Sequence, residues 1–186
     1  MQLSGKKIAI LATNGFEQSE LEVPRDRLKQ AGATVHVVSP ERDQIRGWDK
    51  KDWGHPVPVD KILEEVSADD YDAIVLPGGQ INPDLLRINP TALALIRGFY
   101  DQNKIVAAVC HAPWLLIETG IIRGRRATSY HSIKTDVMNA GAKWEDSPVV
   151  TDEGIVTSRN PGDLEVFSDK IAEEVAEGRH TARSAA

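Results

Sequence analysis

Val106-Ala107-Ala108-Val109-Cys110-His111-Ala112-Pro113-Trp114-Leu115-Leu116-Ile117 is the stretch that decides the fold class. Its first four residues are small or β-branched and apolar, as in a strand buried on both faces, and an apolar helix follows almost at once. A strand that turns directly into a helix holds the residue at the turn on a tight elbow beside the helix N-terminus, where only small neighbours fit. Ala108 and Ala112 are small. The unpaired N–H groups of a helix start favour a thiolate, so the pattern predicts that Cys110 ionises below the free-thiol value of about 8.5. A free cysteine after an apolar strand is otherwise a buried small hydrophobe, so its surroundings decide its role.

On either side, short apolar runs alternate with longer segments of helical period, the pattern of βαβ units around a parallel sheet. Strands are expected at Lys7–Leu11, Val35–Ser39, Ala73–Leu76 and Ile105–Val109. Shorter ones are expected at Arg126–Ser129, Val149–Thr151 and Ile155–Ser158, the last two joined by a turn at Asp152-Glu153-Gly154. Helices are expected over Glu20–Ala31, from Pro90 to Gln102, from just after Cys110 to near Gly120, and over His131–Asn139 and Gly162–Glu177. The fold class is therefore α/β, a flavodoxin-like three-layer sandwich with a mostly parallel central sheet. Glu41–Pro58 reads as a long polar loop holding Trp48 and Trp53, suited to cover a pocket or an oligomer interface, or to pack as a surface flap.

The length of 186 residues favours one domain, with a core over about 5–178 and a small polar tail at 179–186 that frays. A hydrophobic share of 41% with 27% charged residues fits neither a disordered chain nor a membrane protein. The formal net charge of -6 repels phosphate backbones, which makes nucleic acid an unfavoured partner. Arg123, Arg125 and Arg126 around Gly124 read as a solvated turn. The apolar run Ile8–Ala12 is too short for an export signal, and one cysteine allows no internal disulfide, so the cytoplasm is the expected compartment. His36, His55, His111, His131 and His180 show no metal-binding spacing, so no metal is expected, and Ala12–Phe16 is no phosphate cradle for a flavin. No cofactor is expected.

Two further strand ends face the cysteine in this topology. Leu76-Pro77-Gly78-Gly79 places paired glycines after a strand, where backbone N–H groups can hold an oxyanion. Asn14-Gly15-Phe16-Glu17-Gln18-Ser19-Glu20 opens the first helix with two acids. Glu17 reads as serving the helix dipole. Glu20 is expected beside the Cys110 elbow, largely protonated and donating a hydrogen bond to the sulfur.

Together these stretches resemble the ThiJ/PfpI superfamily, in particular its PfpI branch of intracellular-protease-like and stress-response proteins. The likeness rests on Asn14–Pro24, Leu76–Gly79, Ala108–Pro113, Leu116–Tyr130 and Thr157–Leu164, in that order and spacing. It implies a homo-oligomer, dimeric or larger, with an elbow cysteine at Cys110 accompanied by Glu20. It also implies His111 as base, and an acid from a neighbouring subunit at the place of Asp84. Gln80-Ile81-Asn82 is one residue longer than the protease pattern and leads to Asp instead of Glu. Tyr130 and His131 receive no catalytic role.

The function implied is a cytoplasmic stress-response protein whose Cys110 attacks carbonyls, as a cysteine peptidase or a glyoxalase or deglycase, on a small carbonyl or a peptide or protein substrate. The alternative is a redox sensor or chaperone-like protector acting through oxidation of Cys110, with no second cysteine to resolve it. A class I glutamine amidotransferase is remote, because that family needs a downstream H-x-E pair and none follows Cys110.

Overall fold

The computed structural model describes residues 2–178, so the tail expected to fray at 179–186 lies outside the described residues. Strand β1 (Lys7–Leu11) leads into helix α1 (Gln18–Gln30) and β2 (Thr34–Ser39). Next come β3 (Gln44–Asp49), β4 (Asp52–Pro58), the short β5 (Lys61–Ile62) and β6 (Ala73–Leu76). Helices α2 (Ile81–Leu86) and α3 (Pro90–Asp101) precede β7 (Ile105–Val109) and α4 (Pro113–Glu118). The remainder is β8 (Arg126–Ala127), α5 (Lys134–Asn139), β9 (Lys143–Trp144), β10 (Val149–Asp152), β11 (Ile155–Ser158) and α6 (Leu164–Glu177).

The main sheet has seven strands in the order β10-β11-β7-β6-β1-β2-β5. Every neighbouring pair is parallel except β10 with β11. Alternation along each central strand feeds two cores. Ile8, Ile10, Val75, Ala107 and Val109 pack with Leu21 and Leu28 of α1 and Phe167 and Ile171 of α6. Ala9, Leu11, Ile74, Leu76, Val106 and Ala108 pack with Ile96 and Phe99 of α3 and Leu115 and Leu116 of α4. Full burial of each such large side chain contributes about 1.5–3 kcal/mol, which fixes the register. This is the expected flavodoxin-like sandwich. Among the described residues, no helix is long and apolar enough to cross a membrane.

Local signals set the helix ends. The Asn89 side chain accepts from the amides of Thr91 and Ala92 at 3.0 and 3.1 Å, and Pro90 occupies the first turn of α3, where no N–H is needed. Asn160 accepts from the Gly162 amide at 2.9 Å ahead of α6.

Three expectations are corrected. The supposed loop at 41–58 holds an antiparallel hairpin, β3 with β4, closed at Lys50-Lys51 with Lys50 in the left-handed region at φ 56°. It buries little beyond Ile45 and Val57, so its polar surface hid the strand period. Strand β8 is only two residues long and pairs with β9 in a separate small sheet. The arginine turn is not fully solvated: Arg125 is buried and pairs with Glu153, next to Asp152 and the Tyr100 hydroxyl.

β1 is the point where the chain order reverses, since β2 lies on one side of it and β6 on the other. The carboxyl ends of β1, β6 and β7 therefore open a crevice, the usual ligand position of such sheets.

Candidate active site

Cys110 follows β7 directly with φ 63°, a left-handed conformation that costs a non-glycine residue of order 1–3 kcal/mol. Its backbone is tied on both sides: the Cys110 amide donates to Ser158 O at 3.1 Å and the Tyr130 amide to Cys110 O at 2.8 Å. The turn is not helical, so the next side chain can face the sulfur. His111 Nδ1 lies 3.2 Å from Cys110 Sγ, and His111 Nε2 lies 3.1 Å from Ser132 Oγ. The imidazole stacks on Tyr130 at 4.9 Å and meets the edge of Trp114 at 5.3 Å. Burial, with a smaller push from His131, lowers the His111 pKa, so the ring is a neutral base at pH 7.

Glu20, in the first turn of α1, is fully buried and faces the same sulfur. Its Oε2 accepts the Gly78 amide at 2.8 Å, while Oε1 is buried with no well-aligned partner among the described residues. Burial pushes the Glu20 carboxyl up to about 8, against the pull of the Gly78 amide and the thiol, so it keeps its proton at neutral pH as expected.

The expected standing thiolate is corrected. Only 6% of Cys110 is exposed, and burial followed by repulsion from an ionised Glu20 pushes the thiol up. The amides of Gly79 and His111 act against that rise, but burial, the largest cause, holds the proton on the sulfur, and ionisation of Glu20 would hold it there more firmly. Helix α4 begins only at Pro113, which removes the helix-start amides from the argument.

The two glycines divide their work. The Gly78 amide is committed to Glu20, which corrects its expected oxyanion role, while the Gly79 amide points to the sulfur. Gly79 has φ 79°, and a Cβ there would stand 2.8 Å from the Glu17 amide. The lengthened connection after Gly79 holds Asn82, fully buried, whose side chain donates to Pro77 O at 2.8 Å and Gly78 O at 3.2 Å and accepts the Thr13 amide at 2.8 Å. One side chain thus fastens the loop after β6 to the loop after β1.

These residues meet at a pocket of about 570 Å³. Cys110, His111, Glu20 and Gly79 border it, joined by Glu17, Trp48, Lys50, Tyr130 and Pro161. Glu17 is therefore more than a helix-dipole partner: it is half-buried at the pocket, and burial raises its pKa. Trp48 and Lys50 come from the hairpin, which docks beside β1 through the Gly15 amide on Arg46 O at 2.8 Å and the Trp48 amide on Phe16 O at 2.6 Å. Only their aromatic and glycine neighbours in the sequence hinted at this wall. Asp84 stands apart. It is exposed on α2 and is not among the residues bordering the pocket, so within one chain it does not reach Cys110 or His111.

Known proteins resemble this chain over most of its length. The Deglycase PfpI of Pyrococcus furiosus is 43% identical over 158 residues, covering 85% of this chain and 92% of that protein. The Protein/nucleic acid deglycase 2 of Escherichia coli is 41% identical over 165 residues, covering 88% of this chain and 94% of that one. Among solved structures, a two-domain protein from Anabaena variabilis with DJ-1/ThiJ/PfpI-like and ferritin-like domains superimposes with a TM-score of 0.86 at 38% identity. That match covers 92% of this chain and 48% of the two-domain chain. Residues 6–174 match the family described as DJ-1/PfpI, and the chain belongs to that family.

Proposed function

We propose that this chain is a cysteine hydrolase of the deglycase kind, which removes carbonyl adducts from amines. The observation that carries the reading is Cys110 Sγ, 3.2 Å from a neutral His111 Nδ1, at the pocket beside a buried, protonated Glu20. In the first step the thiol proton passes to His111 Nδ1 as the sulfur–carbon bond forms. The carbonyl π pair moves onto its oxygen, which the Gly79 amide is placed to receive. Glu20 retains its proton, so no second anion opposes the charge passing through the sulfur. For a 2-oxoaldehyde adduct, the amine leaves as the hemiaminal opens to the aldehyde that the sulfur attacks. The imidazolium returns its proton to the hemithioacetal oxygen, and the aldehyde-carbon proton shifts to the neighbouring carbonyl carbon to give a 2-hydroxyacyl thioester. Water cleaves it to the hydroxy acid and the free thiol.

A single cysteine held as a free thiol suits a reducing compartment and supports a cytoplasmic location. Self-association would bring the exposed Ile81 and Leu85 of α2, and Ile88 just after it, out of water and carry Asp84 toward a second copy. Peptide hydrolysis would use the same nucleophile on a longer substrate. Redox sensing is less well served, because a buried thiol that keeps its proton is a poor peroxide target.

The test is release of free amine from an aldehyde-modified lysine peptide. Cys110→Ala should lose all measurable turnover, and His111→Gln should lose about 10²–10⁴-fold, the usual contribution of a positioned base. Full turnover in Cys110→Ala would remove the enzyme reading. Selective oxidation of Cys110 by graded peroxide, read by mass spectrometry in a protein with no turnover, would favour the sensor.

A further inference from the structure

We propose that Ser132 is the positioning residue for His111, so that nucleophile, base and the anchor of the base all come from one chain. For Nδ1 to take the thiol proton it must be bare, and a neutral ring then carries its hydrogen on Nε2. Ser132 Oγ lies 3.1 Å from that nitrogen and accepts its hydrogen bond. After the transfer both nitrogens carry hydrogen, and Nε2–H still faces the hydroxyl oxygen. The stacked Tyr130 ring fixes the plane of the imidazole but leaves open the half-turn about Cβ–Cγ that would swing Nδ1 away from the sulfur. The Ser132 contact removes this freedom and aims Nδ1 at Cys110 Sγ, 3.2 Å away.

The position suits the task. Ser132 sits in the short turn His131–Ile133, which the buried Ile133 anchors, while Ser132 itself is exposed and supports no core packing. A hydroxyl orients the ring without adding charge, unlike the carboxylate that a neighbouring subunit would supply. The arrangement thus gives the base a fixed direction while Asp84 stays on the outer face of α2.

This inference rests on the cysteine–histidine reading above, but its test uses no adduct substrate, so the two fail separately. Cys110 is alkylated with iodoacetamide across pH: the thiol proton goes to His111 Nδ1, the sulfur–carbon bond forms and iodide leaves. Ser132→Ala should slow the reaction near neutral pH by about fivefold, the weight of one neutral hydrogen bond, and shift its pH profile upward. Ser132→Thr, which restores a hydroxyl, should return both to the wild-type values. Thermal unfolding should be the same in all three proteins. An unchanged Ser132→Ala profile would overturn the proposal, as would a loss that threonine does not restore. A loss in Asp84→Asn that Ser132→Ala does not share would give the role to a neighbouring copy and overturn it as well.

Discussion

Glu20 Oε2 accepts the Gly78 amide at 2.8 Å, so one of the two paired-glycine amides holds the acid in place and the other is left to face the sulfur. The buried acid is thereby fixed against Cys110 in its protonated form. Its cost and its use both follow from that burial.

The stability of the fold should therefore depend on pH through Glu20. Its pKa rises from an ordinary 4.5 to about 8 on folding, so between those values the folded chain holds a proton that the unfolded chain has released. The stabilisation this confers is complete below pH 4.5 and is lost as pH rises through about 8. Urea midpoints measured from pH 5 to 8.5 should fall with pH, and Glu20→Gln should flatten that slope. An equal slope in both proteins would show that Glu20 is not the buried acid described.

Gly78 admits no side chain. A Cβ there would stand 2.6 Å from Glu20 Oε2 and 2.8 Å from both Val109 O and Cys110 Cβ. Gly78→Ala should cost about 1–3 kcal/mol of stability through overpacking, measured by denaturant unfolding, and should reduce turnover by displacing Glu20. A variant as stable and as active as wild type would contradict the close approach.

Asn82 ties two loops across the crevice. Asn82→Leu strands the Thr13 amide, a loss of order 1–3 kcal/mol, and removes the donors to Pro77 O and to Gly78 O, the latter still accepting the Glu17 amide at 3.4 Å. Denaturant unfolding should show a loss of about 2–4 kcal/mol, more than an exposed polar site would give. A change within 0.5 kcal/mol, roughly that of a surface substitution, would show that the clamp carries no load.

Much of this was legible in the sequence because burial leaves a period behind it. The strands Lys7–Leu11, Ala73–Leu76 and Ile105–Val109 were predicted with the bounds they have, since both faces of each are covered. The convergence of Cys110, His111, Glu20 and Gly79 followed from their positions at strand ends. The hairpin was not legible because one of its faces meets water and its tryptophans lie in a polar setting. Nor was α2, which is short and carries Pro83 among exposed apolar residues. The ionisation of Cys110 went the other way from expectation because a local argument about a helix start cannot count the burial of the sulfur or the acid opposite. Ser132 and Asn82 were silent in the sequence, since a lone polar residue becomes informative only when its partners are known.

Trp48 belongs to a hairpin that a single side chain underlies. Gln18 Oε1 is buried under Gly47 and Gly54, and a Cβ at either glycine would collide with it. Trp48→Ala should therefore leave the hairpin docked, raising KM for the adduct substrate while kcat stays near its wild-type value, the signature of lost uniform binding. Gly47→Ala should lift the hairpin and change both. Equal KM values in Trp48→Ala and wild type would remove this wall from the binding site.

The electrostatic coupling of Cys110 to Glu20 is tested most directly by the alkylation rate of Cys110 from pH 5 to 10 in wild type and in Glu20→Gln. Below pH 8 the sulfur faces a neutral group in both proteins, and the two profiles should run together. Above about 8 the wild-type carboxyl ionises and holds the thiol protonated, so its profile should flatten while that of Glu20→Gln continues to rise. Profiles that superimpose over the whole range, with a single midpoint at the free-thiol value, would contradict the account.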